Sequence, residues 1–571
     1  MQTGCKLHLL FIVIVHDCQS AQPAHLWELF KQHLCDDLPR FLTRQHFSPL
    51  TEEAIFDYGL FLIHSRLQSD NKTMEVVGLP NPIQNWHTLL GTHSSHQLSY
   101  DCNEQTNRLN DSLPKLNDEQ RTVFDSILQS ALNHTPKTFF LQGAVGAGKT
   151  FVYNTICFTL HSHWKNVMCV ASSGIAALLL PGGRTAHSTL KIPIDINQCS
   201  TCSISKRSGL ADALRNVELL IWDECSMQHR HAFEAVNRTL QDLCDCQNLF
   251  GGITTILGGD FLQTLPVVTY GSKSDIINAA LLSSLLWPSI IPNFHMLEKN
   301  MHVGHNSDEQ HFAEWLRKVA NGTLNDVDDN IIIPNSFLCP YNDVSTLIDH
   351  TYPNIGSPHN MQYFHERCIL APHNCEANEI NDFILDKFPG QVHDLWAIDK
   401  AINPDTEMAM EESYPSEVLH SANPSGFPQA HLKLKIGCPI IVLRNVHSEE
   451  GICNGTRGIV MQISTRIIEI LLHDGETYML PCVKLISSDG QLPFHLHRHQ
   501  FPIALSFAIT INKSQGQSFS TVGIDLQVPA FGHGQLYIAL SRARSHKTVK
   551  CILNDDTTPC MKNVVYREAI L

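Results

Sequence analysis

TFFLQGAVGAGKT, residues 138–150, is the stretch of this sequence that decides the fold. It reads as a short apolar strand, a glycine-rich loop and the first residues of a helix. From Gly143 to Thr150 it has the spacing GxxxxGK[ST] of a phosphate-binding loop, in the strand, loop and helix context that such a loop needs. The stretch therefore predicts a site for the phosphates of a nucleotide at the end of a parallel strand.

Each residue type in this loop has a chemical reason to be there. Gly143, Gly146 and Gly148 let backbone N–H groups wrap the phosphates, and the helix dipole adds positive potential. Lys149 reaches the β- and γ-phosphates, and the Thr150 hydroxyl ligates Mg²⁺. The alternative is an ordinary glycine turn that binds no ligand, and a second motif argues against this alternative.

That second motif is LLIWDE, residues 219–224, an apolar strand that ends in two carboxylates. Asp223 follows the loop lysine by 223 − 149 = 74 residues. It can hold the metal through its water shell, while Glu224 can orient and deprotonate the attacking water. Adjacent acids at a strand end are usually just solvated. Here an adjoining parallel strand would deliver both to the γ-phosphate, which favours hydrolysis.

The pattern around these motifs predicts the fold class. From about residue 113 to 300, short apolar runs alternate with amphipathic helical patterns, which is typical of a parallel sheet covered on both faces. A second alternating region follows, interrupted by β-branched runs that break at Asn-Gly and Asp-Gly turns. We expect two doubly wound α/β lobes, with a small antiparallel β-barrel inserted in the second lobe.

Composition limits the function classes. The 571 residues are 43% hydrophobic and 17% charged, which is typical of a globular protein with large cores. The net charge of 40 − 56 = −16 argues against a protein that coats nucleic acid by bulk attraction, but not against a local basic channel. The 19 scattered cysteines favour reduced thiols, and Cys199-x-x-Cys202 lacks the second pair that a zinc site usually needs.

The N-terminal stretch KLHLLFIVIVHDCQSAQ imitates a signal peptide. Its apolar run from Leu7 to Val15 is far too short to span a bilayer. Secretion would also separate a nucleotide-driven protein from its nucleotide and place its thiols in an oxidising space. We therefore expect a buried strand or helix, and no membrane partner.

The ordered motifs LNDEQ, GAVGAGKT, ASSGIAALLLPGGRTAHSTLKIPI, WDECSM, GGDFLQTLPVV, INKSQGQSF and GHGQLYIALSRARS point to one family. Over roughly residues 113–555 the chain resembles the petite-integration-frequency (Pif-one) family of superfamily-one DNA helicases, particularly the branch carried by Helitron-type transposons. The resemblance implies two RecA-like lobes, ATP and Mg²⁺ as cofactors, and 5′ to 3′ movement on single-stranded DNA. It also implies duplex unwinding in repair, recombination or telomere maintenance.

The resemblance carries roles to individual residues. It implies that Gln120 reads adenine, that Gln263 senses the γ-phosphate, and that Arg542 reaches the γ-phosphate from the second lobe. Such an arginine contributes only when the cleft closes, so ATP would favour closure and ADP opening. The residues it assigns to DNA are Thr185, His187, Ser188, Asn512, Lys513, Ser514 and Gln515.

We expect an N-terminal transposon-helicase-like region and four further segments. Their predicted bounds are 1–112 for this region, 113–300 for the first lobe, 301–430 and 501–571 for the two parts of the second lobe, and 431–500 for the barrel. The expected partners are single-stranded and forked DNA, and the expected state is a monomer. The expected location is the nucleus, with the mitochondrion as the alternative.

Two departures from the family pattern keep other readings open. His302 stands where the family usually has an arginine, so hydrolysis could be slow, or Arg542 could carry the charge alone. His495, His497 and His499 share one face of a predicted strand, where we favour solvated histidines over a metal or a nickase motif. The alternative functions are a catalytically impaired ATP- and DNA-binding remnant and another phosphate-loop ATPase.

Overall fold

The structure is a computed structural model. It describes residues 100–301, 307–357, 360–404, 406, 408, 410, 414–424, 426–447, 451–487, 492–543, 545–554 and 559–570. Of the N-terminal region it describes residues 7–8, 11–12, 14–15, 22–36, 38–39, 42, 47, 50–69, 73–84 and 86.

Two units make up the chain. The larger unit consists of Ser99–Gly390, Cys438–Gly458 and Leu505–Leu571, and the smaller unit consists of Met1–Leu98, Gln391–Gly437 and Ile459–Ala504. In chain order the strands are β1 (Thr138–Gly143), β2 (Val167–Ala171), β3 (Arg184–Thr185), β4 (Leu219–Asp223), β5 (Thr254–Gly259), β6 (Phe294–Leu297), β7 (Asn330–Ile332), β8 (Arg367–Ala371), β9 (His393–Trp396), β10 (Ile398–Ile402), β11 (His431–Leu434), β12 (Pro439–Val442), β13 (Arg457–Ile463), β14 (Ile467–Leu472), β15 (Thr477–Pro481), β16 (Val483–Ile486), β17 (His495–Gln500), β18 (Ile503–Leu505), β19 (Ala508–Thr510), β20 (Thr521–Leu526), β21 (Val549–Leu553) and β22 (Cys560–Lys562).

The α-helices are numbered in the same way. They are α1 (Pro23–Leu34), α2 (Glu52–Ser69), α3 (Cys102–Ser112), α4 (Asp118–Leu132), α5 (Lys149–Ser162), α6 (Gly174–Leu178), α7 (Ala186–Leu190), α8 (Gly209–Arg215), α9 (Arg230–Leu243), α10 (Lys273–Ala279), α11 (Trp287–Ile290), α12 (Ser307–Ala320), α13 (Val344–Thr351), α14 (Met361–His365), α15 (Asn374–Lys387), α16 (Ser416–Ser421) and α17 (Gln535–Ser541).

The first sheet is fully parallel, in the order β3-β2-β4-β5-β1-β6. Alternate residues of its central strands enter separate cores on the two faces. Phe139 and Leu141 pack with residues of α4 and α5, whereas Phe140 packs with residues of α9. Burying each such side chain contributes about 1.5–3 kcal/mol. The continuous apolar runs of the sequence are explained by this burial on both faces, and the first doubly wound lobe is confirmed.

The second sheet lies in the same unit and is also parallel, in the order β19-β8-β20-β21. Helix α13 packs closely on it, because a Cβ on Gly523 of β20 would lie 2.5 Å from the Thr351 hydroxyl. The predicted pair of α/β lobes is therefore present, and the carboxyl ends of β1, β4 and β5 carry the predicted ATP motifs.

The smaller unit contains antiparallel strands. Strand β17 pairs with β10 and β16, β9 pairs with β11, and β13, β14 and β15 follow one another as a meander. The predicted Asp-Gly turn joins β14 to β15, with Gly475 in the left-handed region at φ +85°. The antiparallel character matches the prediction, and the hydrogen bonding distributes these strands over separate sheets. The unit also includes β9 and β10, which precede the boundary predicted at residue 431.

An ion pair lies at the centre of the β10–β17 pairing. Arg498 is fully buried and holds Asp399 through two hydrogen bonds, Nε to Oδ1 at 2.9 Å and Nη2 to Oδ2 at 2.7 Å. Its remaining donors bond to the backbone carbonyls of Leu419, Ala422 and Pro428. Each nitrogen of this guanidinium is hydrogen-bonded within its own unit, and such pairing is the condition under which a buried charge is tolerated.

The three histidines of β17 lie on its half-exposed face, as the alternation predicted. His495 Nδ1 is 2.8 Å from the Ser487 carbonyl, and His499 Nδ1 is 3.4 Å from Cys482 Sγ. Within the described ranges, no three His, Cys, Asp or Glu side chains come together as a metal site.

The described N-terminal residues form a core of their own. Phe11, Ile12 and Val15 of the signal-like run are buried with Trp27 of α1, so the described part of the run is packed inside protein, as expected. Every helix within the described ranges is too short or too polar to cross a bilayer. Residues 100–112, which the sequence assigns to the N-terminal region, belong to the larger unit, where α3 packs on α5.

Candidate nucleotide site

The phosphate loop has the backbone that its sequence predicts. Gly146 and Gly148 have φ values of +83° and +84°, in the left-handed region that glycine adopts without strain. Gly148 directly precedes α5, so the loop ends at a helix N-terminus. Lys149 is the first residue of α5 and donates a hydrogen bond from Nζ to the Gly143 carbonyl, and Thr150 follows it, half-buried. The predicted phosphate ligands are thus brought together.

Gln120 is buried behind this loop. Its Oε1 accepts from the Asn117 backbone N–H at 3.2 Å, and Asn117 Oδ1 accepts from the Gln120 N–H at 2.9 Å, which forms a capping box on α4. Its Nε2 donates to the Ala147 carbonyl at 3.1 Å. A Cβ on Gly148 would approach this Nε2 to 2.4 Å. Gln120 therefore braces the loop, and its role in reading adenine stays a prediction.

The two predicted carboxylates lie at the end of β4. Asp223 is buried and accepts from the Tyr153 hydroxyl at 3.4 Å. Glu224 follows in the left-handed region at φ +54°, which turns the chain off the strand. Gly258 of the neighbouring strand β5 leaves room for the Tyr153 hydroxyl to reach Asp223, because a Cβ on Gly258 would lie only 1.8 Å from that hydroxyl.

Burial sets the protonation of these carboxylates. It raises the pKa of Asp223, against the attraction of Lys149. Burial, and then the neighbouring Asp223, raise the pKa of Glu224 to about 7, while Lys149 and Arg542 oppose the rise. A carboxyl with a pKa near neutrality suits a general base.

The carboxylate cluster also fits a divalent cation. Glu224 Oε2 is buried without a hydrogen-bond partner, and the Asp223 carboxylate beside it is desolvated. Both are hard oxygen donors, and the Thr150 hydroxyl is a further oxygen at the loop. Thr150 and Asp223 are the residues that would hold Mg²⁺ together with the nucleotide phosphates.

The segment after β5 provides a third buried carboxylate. Asp260 accepts from the Leu262 N–H at 3.1 Å and from Gln263 Nε2 at 3.3 Å. Its Oδ2 also accepts from the Tyr537 hydroxyl at 3.4 Å, and Tyr537 lies on α17 of the second lobe. Burial raises the pKa of Asp260, as it does for the other two acids.

Further contacts from the second lobe meet the same segment. Gln515 Nε2 donates to Gln263 Oε1 at 3.4 Å, and the Thr264 hydroxyl donates to Gln515 Oε1 at 3.0 Å. The His533 ring bonds through Nε2 to the Phe261 carbonyl at 3.0 Å. The predicted γ-phosphate sensor is therefore in direct contact with the segment predicted to couple ATP to DNA.

Arg542 follows α17 and is buried. Its guanidinium makes four hydrogen bonds inside the second lobe, to the carbonyls of Ile538, Ser514 and Gln517 and to the Ser541 hydroxyl. It is also close enough to Glu224 and Asp260 for their charges to act on its pKa. The arginine thus lies in the field of the ATP motifs, and its contact with a γ-phosphate stays a prediction.

The residues predicted to bind DNA divide by exposure. His187 and Ser188 are exposed at the start of α7, where the Ser188 and Thr185 hydroxyls lie 2.8 Å apart. Ser514 and Gln515 are buried and are engaged inside the protein, Ser514 through a hydrogen bond to the Ile511 carbonyl.

Asn512 and Lys513 are half-exposed beside that buried pair. Asn512 Oδ1 accepts from Gln535 Nε2 at 3.2 Å, and Lys513 Nζ donates to Asn374 Oδ1 at 3.5 Å. DNA contact by all seven residues stays a prediction. His302 lies outside the described residues.

Sequence reasoning missed Tyr153, Tyr537 and His533. Tyr153 lies four residues after Lys149 on the same helix, a spacing that places the two side chains on one face and that could have revealed it. Tyr537 and His533 contact residues more than 250 positions away, so no local pattern contains their partners.

The described cysteines are free, and two of them in the first lobe, Cys157 and Cys169, lie with their Sγ atoms 3.6 Å apart. Cys199 is exposed whereas Cys202 is buried, so this CxxC does not present two thiols to one ion.

Comparisons with known proteins agree with this geometry. Residues 115–330 match the family model of PIF1-like helicase, and residues 417–463 match that of the DNA helicase Pif1 2B domain. The chain is 28% identical over 474 residues to the ATP-dependent DNA helicase PIF1 of Rattus norvegicus, which covers 79% of this chain and 63% of the relative. It is 27% identical over 438 residues to the protein of that name in Homo sapiens, covering 76% and 60%.

A bacterial relative is matched over more of its length. The ATP-dependent DNA helicase Pif1 of Bdellovibrio bacteriovorus is 28% identical over 444 residues, covering 77% of this chain and 88% of the relative. The chain spans about three fifths of the length of the mammalian relatives.

Solved structures show the same fold. Pif1 helicase from Candida albicans is similar with a TM-score of 0.55 and 24% identity, covering 80% of this chain and 98% of that one. Pif1 helicase from Bacteroides in complex with ADP-AlF3 and ssDNA has a TM-score of 0.56 and 22% identity, covering 80% and 94%. The Helitron-type branch stays a prediction. Residues 115–330 and 417–463 thus match models of PIF1-like helicases, and the chain is similar to ATP-dependent DNA helicases of that name over about three quarters of its length.

Proposed function

We propose that this chain is an ATP-dependent DNA helicase that moves 5′ to 3′ along single-stranded DNA and opens forked duplexes. The observation that carries the proposal is one site to which both parallel sheets contribute. Lys149 and Glu224 come from the first lobe, and Gln515, Tyr537 and Arg542 come from the second. A nucleotide at this site would be sensed by both lobes at once.

The residues of the first lobe support a hydrolysis step. The loop amides and Lys149 hold the phosphates, and Glu224 takes the proton of the attacking water. Bound Mg²⁺, held by Thr150 and Asp223, would neutralise charge on the phosphate oxygens. The low exposure of Asp223, Glu224 and Asp260 keeps water away, which strengthens each of these electrostatic interactions.

The contact between Gln263 and Gln515 supports conversion of that step into movement. In this proposal Gln263 senses the terminal phosphate, and its partner Gln515 is two residues from Lys513 in the predicted DNA segment. A change at the phosphate therefore changes a hydrogen bond next to the predicted DNA contacts. Arg542 adds charge stabilisation from the second lobe when the cleft is closed.

The relatives support the choice of partner. They are ATP-dependent DNA helicases, and related Pif1 structures include one with ssDNA and one of unwinding at forked dsDNA. For this chain we propose single-stranded and forked DNA as partners, a monomer as the active state, and a nuclear role in repair, recombination or telomere maintenance.

Hydrolysis and strand separation test the proposal in the full chain. Lys149→Ala should lower DNA-stimulated ATP hydrolysis by about 10²-fold or more and abolish displacement of a strand from a fork with a 5′ tail. Lys137→Ala, which changes an exposed lysine of the same lobe, should behave as wild type.

Three results would contradict parts of this proposal. An unchanged rate in Lys149→Ala would reject the site. Displacement only from 3′-tailed forks would reject the direction of movement. ATP hydrolysis without displacement from either fork would support the alternative of an impaired remnant.

A further inference from the structure

An exposed aromatic pair lies beside the predicted DNA segment of the second lobe. Phe531 is 56% exposed and stacks on the His373 ring, with the centroids 4.6 Å apart and the planes at 8°. His373 comes just after β8 and is the N-cap residue of α15. Phe531 therefore presents one face to His373 and more than half of its surface to solvent.

The position of Phe531 is fixed by a buried glutamine. Gln535 Oε1 accepts from the backbone N–H groups of Phe531 and Gly532, both at 3.0 Å. Its Nε2 donates to Asn512 Oδ1 at 3.2 Å. One buried side chain thus ties the aromatic pair to Asn512, which the sequence assigns to DNA.

Groups that suit a phosphate lie next to the pair. Lys513 Nζ is 3.5 Å from Oδ1 of the exposed Asn374, the first residue of α15. Helix α15 has 14 residues and no side-chain hydrogen bond at its N-cap, so its first N–H groups face outward from the helix start. A cation and a helix N-terminus beside an aromatic ring match the alternation of phosphate and base along a single strand.

We propose that Phe531, supported from behind by His373, is a stacking site for one base of single-stranded DNA. The proposal deepens the proposed function and rests on it. Since every base has a π-face, the site would bind without reading sequence. Helix α17 begins at Gln535 and ends one residue before Arg542, so a base on Phe531 would be linked through one short helix to the ATP motifs.

The test compares Phe531→Ala with Phe531→Tyr in the full chain, using fluorescence anisotropy of a labelled oligothymidylate. Phe531→Ala should weaken binding by about 5- to 100-fold, as expected for loss of one base stack, and Phe531→Tyr should bind as wild type. An oligonucleotide of abasic phosphodiester units should bind wild type and Phe531→Ala equally. Tyr270→Ala, which removes a 92% exposed aromatic from the first lobe, is the matched control and should bind normally.

The outcomes separate this proposal from the proposed function. Wild-type affinity in Phe531→Ala would overturn the stacking site while leaving the helicase assignment intact. An equal loss on abasic and normal strands, or a loss in Phe531→Tyr as large as in Phe531→Ala, would assign Phe531 a structural role and also overturn it. Failure of the wild-type chain itself to bind single strands would reject the proposed function instead.

Discussion

Glu224, the proposed general base, lies among buried charges that set its protonation. Burial and Asp223 raise the pKa of its carboxyl to about 7, and Lys149 opposes them. Because only the ionised form accepts a proton, we expect kcat/KM for ATP to fall as the pH drops below about 7. The pH–rate profile measures this, and the residual activity of Glu224→Gln should lack that limb. A wild-type profile that is flat between pH 5.5 and 8 would contradict the assignment.

The same titration has the opposite effect on stability. An unfolded glutamate has a pKa of about 4.3, and the folded value is higher, so the folded state holds this proton more tightly. The stabilising contribution is complete below the unfolded pKa and is lost as the pH rises through about 7. The Tm of the nucleotide-free chain should therefore fall between about pH 5 and 7 and level off above that range, and Glu224→Gln should reduce that fall. Asp223 and Asp260 have pKa shifts in the same direction, so some of the fall should remain.

Arg542 combines a structural and an electrostatic role. Arg542→Lys keeps a positive charge but cannot form the four hydrogen bonds of the guanidinium. We expect turnover to fall by about 10³-fold and the Tm to drop, because buried carbonyls lose their donors. Binding of a non-hydrolysable ATP analogue should change only a few fold. Equal losses of analogue binding and turnover would make Arg542 purely structural. Arg121→Lys, in an exposed ion pair with Asp125, is the control.

At the residue scale, sequence reasoning locates the groups whose neighbours are local. Lys149, Asp223 and Glu224 each end or begin an element with a strong pattern, and the structure brings them into one site. His533 is different, because its ring contacts Phe261 only after the two lobes have packed. The contact of His533 depends on tertiary structure, so it cannot be predicted from the spacing of residues along the chain.

At the scale of elements, the fully buried strands are the most predictable. The continuous apolar run LLIWD of β4 predicts a buried strand, and all five of its residues are buried because both faces of the sheet are covered. The short strands β9 and β10 mix charged and apolar residues, and the sequence gives no sign that Asp399 pairs with a buried arginine. Helix α17 has only seven residues, Gln535–Ser541, and Gly534 in the left-handed region fixes where it begins.

That buried pair gives a prediction for β10 and β17. Asp399→Asn leaves the Arg498 charge buried without its counter-ion, and such a break typically costs about 3–5 kcal/mol. We therefore expect a large loss of unfolding free energy in denaturant titrations. The control is Asp242→Asn, which removes the exposed partner of Lys206 and should leave stability near that of wild type. A similarly small loss of unfolding free energy in both variants would show that the buried ion pair is not needed for stability.

At the scale of the whole molecule, the two lobes of the larger unit meet through apolar contacts, among them Leu262 with Tyr537, and through a group of polar contacts. The Thr264 hydroxyl, Gln263 and Gln515 meet in a buried hydrogen-bonded group between the ATP motifs and the predicted DNA segment. Polar contacts of this kind depend strongly on geometry, so two arrangements of the lobes can differ in free energy with little change in buried area. Such a group is suited to linking two ligands.

Linkage between ATP and DNA should therefore pass through Gln515. If ATP analogue binding tightens DNA binding by some factor, thermodynamics requires DNA to tighten analogue binding equally, typically by 5- to 150-fold. Gln515→Ala should bring that factor towards one, while the ATP analogue alone binds within a few fold of wild type. Thr264→Val should act similarly, and the double variant should add little, since both remove one hydrogen bond of 3.0 Å. Gln241→Ala on α9 should leave the coupling intact. Additive effects of the two substitutions would show that the lobes communicate by another route.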